Sequence, residues 1–142
     1  EADEPVSGQL RIPIGSKVVT VERVRTADDK PVVYSLDTLP ASLVNLHPEI
    51  YSFAGSLYHF LEVECGIEIV EGVATLSPVL ASAVVAGKLG VSPDSALFLL
   101  EQVDCNQEGT PVLLSKEYFS RDAFQFTVRR LRRPAPPRSA RL

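Results

Sequence analysis

The chain has 142 residues, of which 45% are hydrophobic and 23% charged, and its formal net charge is -4 at pH 7. Such a chain suits one domain with a single core, and its mildly acidic balance excludes a surface built throughout for nucleic acid. No apolar run approaches the roughly 20 residues that span a bilayer, and the start has no signal-peptide pattern, so no membrane partner is expected.

Taken in chain order, residues 1–16 mix acids with Pro5, Gly8, Pro13 and Gly15 and read as a linker leading into the domain. Lys17 to Arg25 is rich in β-branched residues and predicts a strand. Asp28 and Asp29 supply turn chemistry, and Pro31 to Asp37 predicts a second strand, so the two form a hairpin. Thr38-Leu39-Pro40 fits a helix start, with Pro48 ending that helix early. Ser56 is a natural N-cap for a helix whose Leu57, Phe60, Leu61 and Cys65 share one face, with Gly66 as its stop.

Ile67 to Ser77 predicts a long strand, and Ser77-Pro78 a second cap before a helix from Leu80 to Leu89 that stops at Gly90. Ala96 to Asp104 and Thr110 to Phe119 predict a further hairpin, and Phe124 to Leu131 a closing strand. Residues 132–142 are a basic Pro- and Arg-rich tail, which reads as solvated and extended, or as a nonspecific aid to DNA approach. Hairpins dominate and no βαβ repeat occurs, which predicts an α+β domain over 17–131 with a largely antiparallel sheet and helices packed on one face.

The chain begins at Glu1 and holds no methionine, so it is expected to be a piece of a longer protein with a partner domain upstream. Cys65 and Cys105 lie far apart in no metal-ligand spacing and read as two reduced thiols of a cytoplasmic protein, with a disulfide as the alternative. His47 and His59 have no partner at ligand spacing, and no Ser-His-Asp order, phosphate loop or paired-carboxylate signature stands out. Nothing calls for a metal or a cofactor, and no catalytic residue is named.

Several segments occur together in register: Val21 to Val33, Leu39-Pro40, Gly55-Ser-Leu-Tyr-His-Phe-Leu61, Ala86 to Val91, Ala96 to Val103, and Glu108 to Asp122 with Phe124 and Phe126. Over roughly 17–131 this pattern resembles the UTRA domain, the effector-binding module of HutC-type regulators of the GntR superfamily, which shares its fold with chorismate lyase. The resemblance implies a six-stranded antiparallel sheet, a pocket for a small and often anionic effector, and a homodimer. It also implies that operator DNA is bound only through a winged helix-turn-helix upstream, absent from this chain. The alternatives are a chorismate-lyase-like enzyme, which would suit arginines near a carboxylate substrate, and a purely structural dimerisation module.

Alternation puts Arg23 and Arg25 on one side of their strand together with Val19 and Val21. Two guanidiniums there form an anion clamp or remain solvated, and matching arginines in the resembled family contact effectors. Asp37 ends the second strand within reach of the first, where it either holds an arginine, accepts a ligand hydroxyl, or merely ends a strand. Ser56, Leu57 and Tyr58 open a helix whose free N–H groups favour an anion, unless the cap serves only its own helix.

On the strand before the tail, Tyr118 shares a face with Lys116, while Ser115, Glu117 and Phe119 share the other; alternation leaves open which face meets the ligand. The resembled family often carries an acid where Leu113 stands and an arginine in the strand after the second helix, where Ile67 to Ala74 has none. Both departures point away from a sugar phosphate and toward a less polar effector, with Glu71 as a substitute source of polarity.

Overall fold

A computed structural model describes residues 1–44, 56–121 and 124–131. Strands β1 (Val18–Ala27) and β2 (Lys30–Pro40) form the expected hairpin. Its two turn residues, Asp28 and Asp29, have φ of 49° and 61°. Left-handed backbone at both central positions is what a two-residue hairpin needs to match strand twist, and aspartate tolerates it.

β2 runs further than expected. Thr38, Leu39 and Pro40 pair with Thr20, Val19 and Val18, so the predicted helix start is strand, followed only by a 3-10 turn at Ala41–Leu43. Leu39 is fully buried, and its place in the core decides the matter over the local signal of Pro40, which sits at the strand's end where a missing N–H does little harm. Pro48 and His47 lie outside the described residues.

The segment 1–16, read as a linker, contains helix α1 (Glu4–Leu10), capped by Asp3, which accepts from the Val6 N–H at 3.0 Å. Leu10 and Ala2 are buried, and α1 packs against the last strand. Helix α2 (Leu57–Val63) has Ser56 as its N-cap, and Gly66 beyond it takes φ of 67°, as the sequence predicts.

Strand β3 (Ile69–Leu80) passes straight through Ser77-Pro78, and the true cap of α3 (Ala83–Leu89) is Ser82, with Gly90 left-handed at the far end. Pro78 is tolerated because β3 is an edge strand, with no strand on its outer side among the described residues. Strands β4 (Ala96–Asn106) and β5 (Pro111–Ser120) complete a five-stranded sheet in the order β1-β2-β5-β4-β3, with every pairing antiparallel.

The α+β class and antiparallel sheet are as the sequence implies, but among the described residues the sheet has five strands and not six. Described residues 124–131 form no strand. Phe124 and Phe126 instead pack their rings on Phe119 and Phe98, with centroids 4.4 and 5.6 Å apart. Alternating phenylalanines satisfy a ring cluster as readily as a sheet face, which is why they mimic a strand.

The helices are also divided between the faces rather than gathered on one. Register puts Val19, Val21, Leu39 and Leu113 on one face, where they cluster with Leu57, Phe60 and Leu61 of α2. Tyr34 and Leu97 lie on the other face and cluster with Val85, Ala86 and Leu89 of α3.

Candidate functional site

Cross-strand register assembles a polar patch in the middle of the α2 face. Val21, Asp37, Ser115 and Gln102 stand side by side across β1, β2, β5 and β4. Arg23 and Ser35 lie one step along on one side, and Asp104, opposite Leu113 and Gly72, one step along on the other. Two hairpins distant in sequence thus deliver polar side chains to one place that would otherwise be core.

Arg23 and Asp37 form an ion pair at 2.5 Å, with side chains 17% and 4% exposed. The second oxygen of Asp37 accepts from the Ser115 hydroxyl at 2.7 Å. Asp37 therefore holds an arginine, one of the roles expected of it, and Ser115 shows which face of β5 joins the site. Arg25 follows on the same face but at the rim, half-exposed and 3.3 Å from Glu117. Breaking a buried pair of this kind leaves an uncompensated charge, so the arrangement fixes geometry more than it adds net stability.

On the other flank, Gln102 Nε2 donates to Tyr58 Oη at 2.7 Å and to Asp104 Oδ1 at 2.7 Å. This ties α2 to the sheet. Asp104 is wholly buried, and burial raises its carboxyl above the ordinary value; the nearby charge of Asp37 adds to this, while hydrogen bonds from Tyr58 and Gln102 oppose it. Burial and the neighbouring Asp104 likewise push the Tyr58 phenol upward. Among the described residues, Asp104 Oδ2 and Ser35 Oγ are buried without a hydrogen-bond partner.

The remaining expected site residues are placed as follows. Ser56 Oγ accepts from the His59 N–H at 3.4 Å, so it serves its own helix, and Leu57 points into the core. Glu71 is exposed on edge strand β3, beyond a register shift that follows Ile69, and is not brought to the patch. Tyr118 lies on the opposite face, stacked on Tyr34 with centroids 6.0 Å apart and ring planes at 21°.

Sequence reasoning missed Gln102, Asp104 and Ser35. The available signal was an alternating Gln-x-Asp inside a strand that begins as an apolar run from Ala96 to Leu100. Cys65 and Cys105 are both free, and burial raises the Cys65 thiol. Among the described residues no group of three His, Cys, Asp or Glu could hold a metal, and no helix is long and apolar enough to cross a membrane.

An antiparallel sheet with a polar patch beside a short capped helix on one face, and an apolar helix on the other, defines an α+β module with a candidate ligand site. The chain belongs to the UTRA domain family, whose model matches residues 1–125. It is 29% identical over 127 residues to the HTH-type transcriptional repressor PhnF of Mycolicibacterium smegmatis, covering 89% of this chain and 52% of that protein. The chain thus spans about half the length of the curated relative it matches.

The crystal structure of the effector domain of PhnF from Mycobacterium smegmatis superposes with a TM-score of 0.77 at 28% identity, covering 92% of this chain and 80% of that one. A GntR-family transcriptional regulator from Enterococcus faecalis V583 gives a TM-score of 0.81 at 26% identity, covering 92% and 93%.

Proposed function

We propose that this chain is the effector-binding and dimerisation domain of a cytoplasmic, GntR-family transcription regulator of the HutC type. It senses a small metabolite with an anionic group and acts by binding rather than by turnover. The observation that carries this reading is the polar patch itself. A module of this family has no structural need for Arg23, Asp37, Ser115, Gln102 and Asp104 in the middle of a covered sheet face. Polar groups placed where core would be more stable mark a site kept for a ligand.

In this reading Asp37 and Ser115 hold Arg23 in one orientation, and Arg25 at the rim meets the effector's anionic group in competition with Glu117. Tyr58 and Gln102 couple α2 to the floor, so a ligand that reorders them repositions the helix. Ser56 and Leu57 contribute as the stem of that helix, while Glu71 and Tyr118 stand apart from the patch. Regulation requires that the effector prefer one of two states of the domain, the preference then passing to a DNA-binding head.

Homodimerisation is proposed through a sheet edge. Edge strand β3 leaves Val70, Val73, Leu76 and Leu80 exposed, an apolar run that a second copy would cover.

The test is a thermal-shift screen of the chain against carboxylates, sugar phosphates, amino acids and fatty acids. A ligand at 100 times its dissociation constant adds about 2.7 kcal/mol. The expected hit is lost in Arg23→Ala. A hit indifferent to that change would move the site elsewhere, and a folded dimer stabilised by nothing would leave only a structural module.

A further inference from the structure

Two atoms of the patch carry information about what belongs beside them. Asp104 Oδ2 and Ser35 Oγ, both fully buried, have no hydrogen-bond partner among the described residues, and they flank the Asp37–Ser115–Gln102 row on opposite sides. An orphaned acceptor in low dielectric is costly and calls for an explanation.

The two are not equivalent. A hydroxyl can donate or accept, whereas an ionised carboxyl oxygen only accepts. Whatever completes Asp104 must bring a donor.

The charge around Asp104 decides what kind of donor. From β2 it is faced by Asp37, whose charge is already matched by Arg23. From α2 it meets the Tyr58 hydroxyl, which hydrogen-bonds the carboxyl, and from its own strand Gln102, which donates to Oδ1; both are neutral. From β3 it meets Gly72, and from β5 its direct neighbour is Leu113. Lys116 and Glu101 pair with each other on the opposite face. Among the described residues, Asp104 is therefore a buried acid with no cation against it, beside a second acid that has one. An anion here would add repulsion, and a neutral hydroxyl would fill the acceptor without offsetting the charge. A cation does both.

The neighbouring strand also makes room for the carboxyl itself. A Cβ on Gly72 would come within 2.5 Å of Asp104 Oδ1 and 3.1 Å of Gln102 Nε2, so β3 keeps a glycine where the carboxyl needs clearance. Gln102 and Tyr58, which cover Asp104, are themselves partly exposed, and turning them aside opens the carboxyl to a ligand.

We propose that Asp104 receives a protonated amine of the ligand, with Ser35 as a neutral contact on the far side of the row, so that the effector is an amine-bearing small molecule. The inference rests on the effector-binding reading above and deepens it: the anionic group lies toward Arg23 and Arg25, the cationic group toward Asp104. A single carboxylate of this kind suits an ammonium, whose hydrogen bond is charge-assisted.

The experiment uses the 142-residue chain and matched pairs that exchange an amine for a hydroxyl. The probes are L-alanine against L-lactate, L-serine against D-glycerate, 4-aminobutyrate against 4-hydroxybutyrate, and D-glucosamine against D-glucose. Binding is read by titration with side-chain amide NMR, where the Gln102 NH2 pair reports arrival at Asp104. The expected result is a preference of about tenfold or more for the amine member of the pairs that bind, as one charge-assisted contact implies. In Asp104→Asn, checked for fold by its thermal transition, the preference collapses, while Ser35→Ala weakens both members alike.

Binding with no amine preference, or a preference that survives in Asp104→Asn, overturns the amine assignment and leaves the effector-binding reading standing. No binding by any member, in wild type and Arg23→Ala alike, overturns both.

Discussion

The two faces of the sheet are built on opposite plans. On the α3 face, Val85, Ala86 and Leu89 close over Tyr34 and Leu97, and the charged residues that remain pair at its margin, Lys88 with Glu22 and Lys116 with Glu101. On the α2 face an apolar cluster at one end gives way to Arg23, Asp37, Ser115, Gln102 and Asp104, and among the described residues Asp104 Oδ2 and the neighbouring Ser35 Oγ are buried without a hydrogen-bond partner. One face is organised for stability. The other departs from that plan only where polar side chains converge, and that local departure separates a site from a core.

If this division is right, changes on the two faces should separate stability from ligand response. The largest loss is expected from Leu89→Ala. Leu89 is 3% exposed in the α3 cluster, and truncation of a buried leucine costs about 3 kcal/mol through lost transfer energy and the cavity left behind. Denaturant unfolding should show that loss, while a ligand found for the wild type still gives its full stabilisation increment. A loss of the increment as well would break the comparison.

Next is Asp37→Ala, which strands Arg23 and removes the acceptor for Ser115. A hydrogen-bonded charge deprived of its partner costs about 2 kcal/mol. Here the ligand increment should vanish along with the stability, and the joint loss is what distinguishes this face from the other. Conversion of both partners, Arg23→Leu with Asp37→Leu, should recover the stability and not the binding.

The same contrast explains what was legible beforehand. The β1–β2 hairpin could be read because Asp28 and Asp29 encode their own turn, and Ser56 and Gly90 mark helix ends by local chemistry. Leu39-Pro40 and Ser77-Pro78 misled, because proline looks the same at a helix start and at the end or edge of a sheet; only burial of Leu39 and the edge position of β3 tell them apart. Phe124 and Phe126 misled for a similar reason, their alternation serving ring packing.

At the site, alternation along one strand was enough to put Arg23 with Arg25 and to bring Asp37 within reach. It could not choose between the faces of β5, where Tyr118 and Ser115 compete on equal terms. Asp104 was out of reach, since its meaning depends on Tyr58 from α2 and Gly72 from β3.

A third prediction follows from the Asp104 carboxyl, held above its ordinary value of 3.8 chiefly by burial. Between that value and the raised one, the unfolded chain has released the proton while the folded chain keeps it. The unfolded state then binds fewer protons, so wild-type stability falls as pH rises through this window and is complete only below it. Asp104→Asn removes the slope. The two proteins should have similar thermal midpoints at the acid end, and the variant should be the more stable above the window. Parallel pH profiles for the two would show that Asp104 is not strained, and the contrast between the faces would lose its sharpest element.

The smallest effect is expected at Ser56, where the faces meet the question of what α2 is for. Its hydroxyl caps α2 through a contact of 3.4 Å to the His59 N–H, a long bond on an exposed helix end. Loss of such a cap costs about 0.5 kcal/mol, the low end for N-caps. Ser56→Ala should therefore shift the unfolding midpoint only slightly. If Ser56 acts solely as a cap, the ligand increment stays intact, because Leu57, Phe60 and Leu61 still anchor α2 in the core and Tyr58 still meets Gln102. If the increment drops by more than the midpoint shift accounts for, the hydroxyl itself meets the ligand, and the site extends from the sheet floor onto the mouth of the helix. Ser56→Asp separates the two cases further: it preserves the cap and improves the charge at the helix start, yet repels an anionic group arriving there.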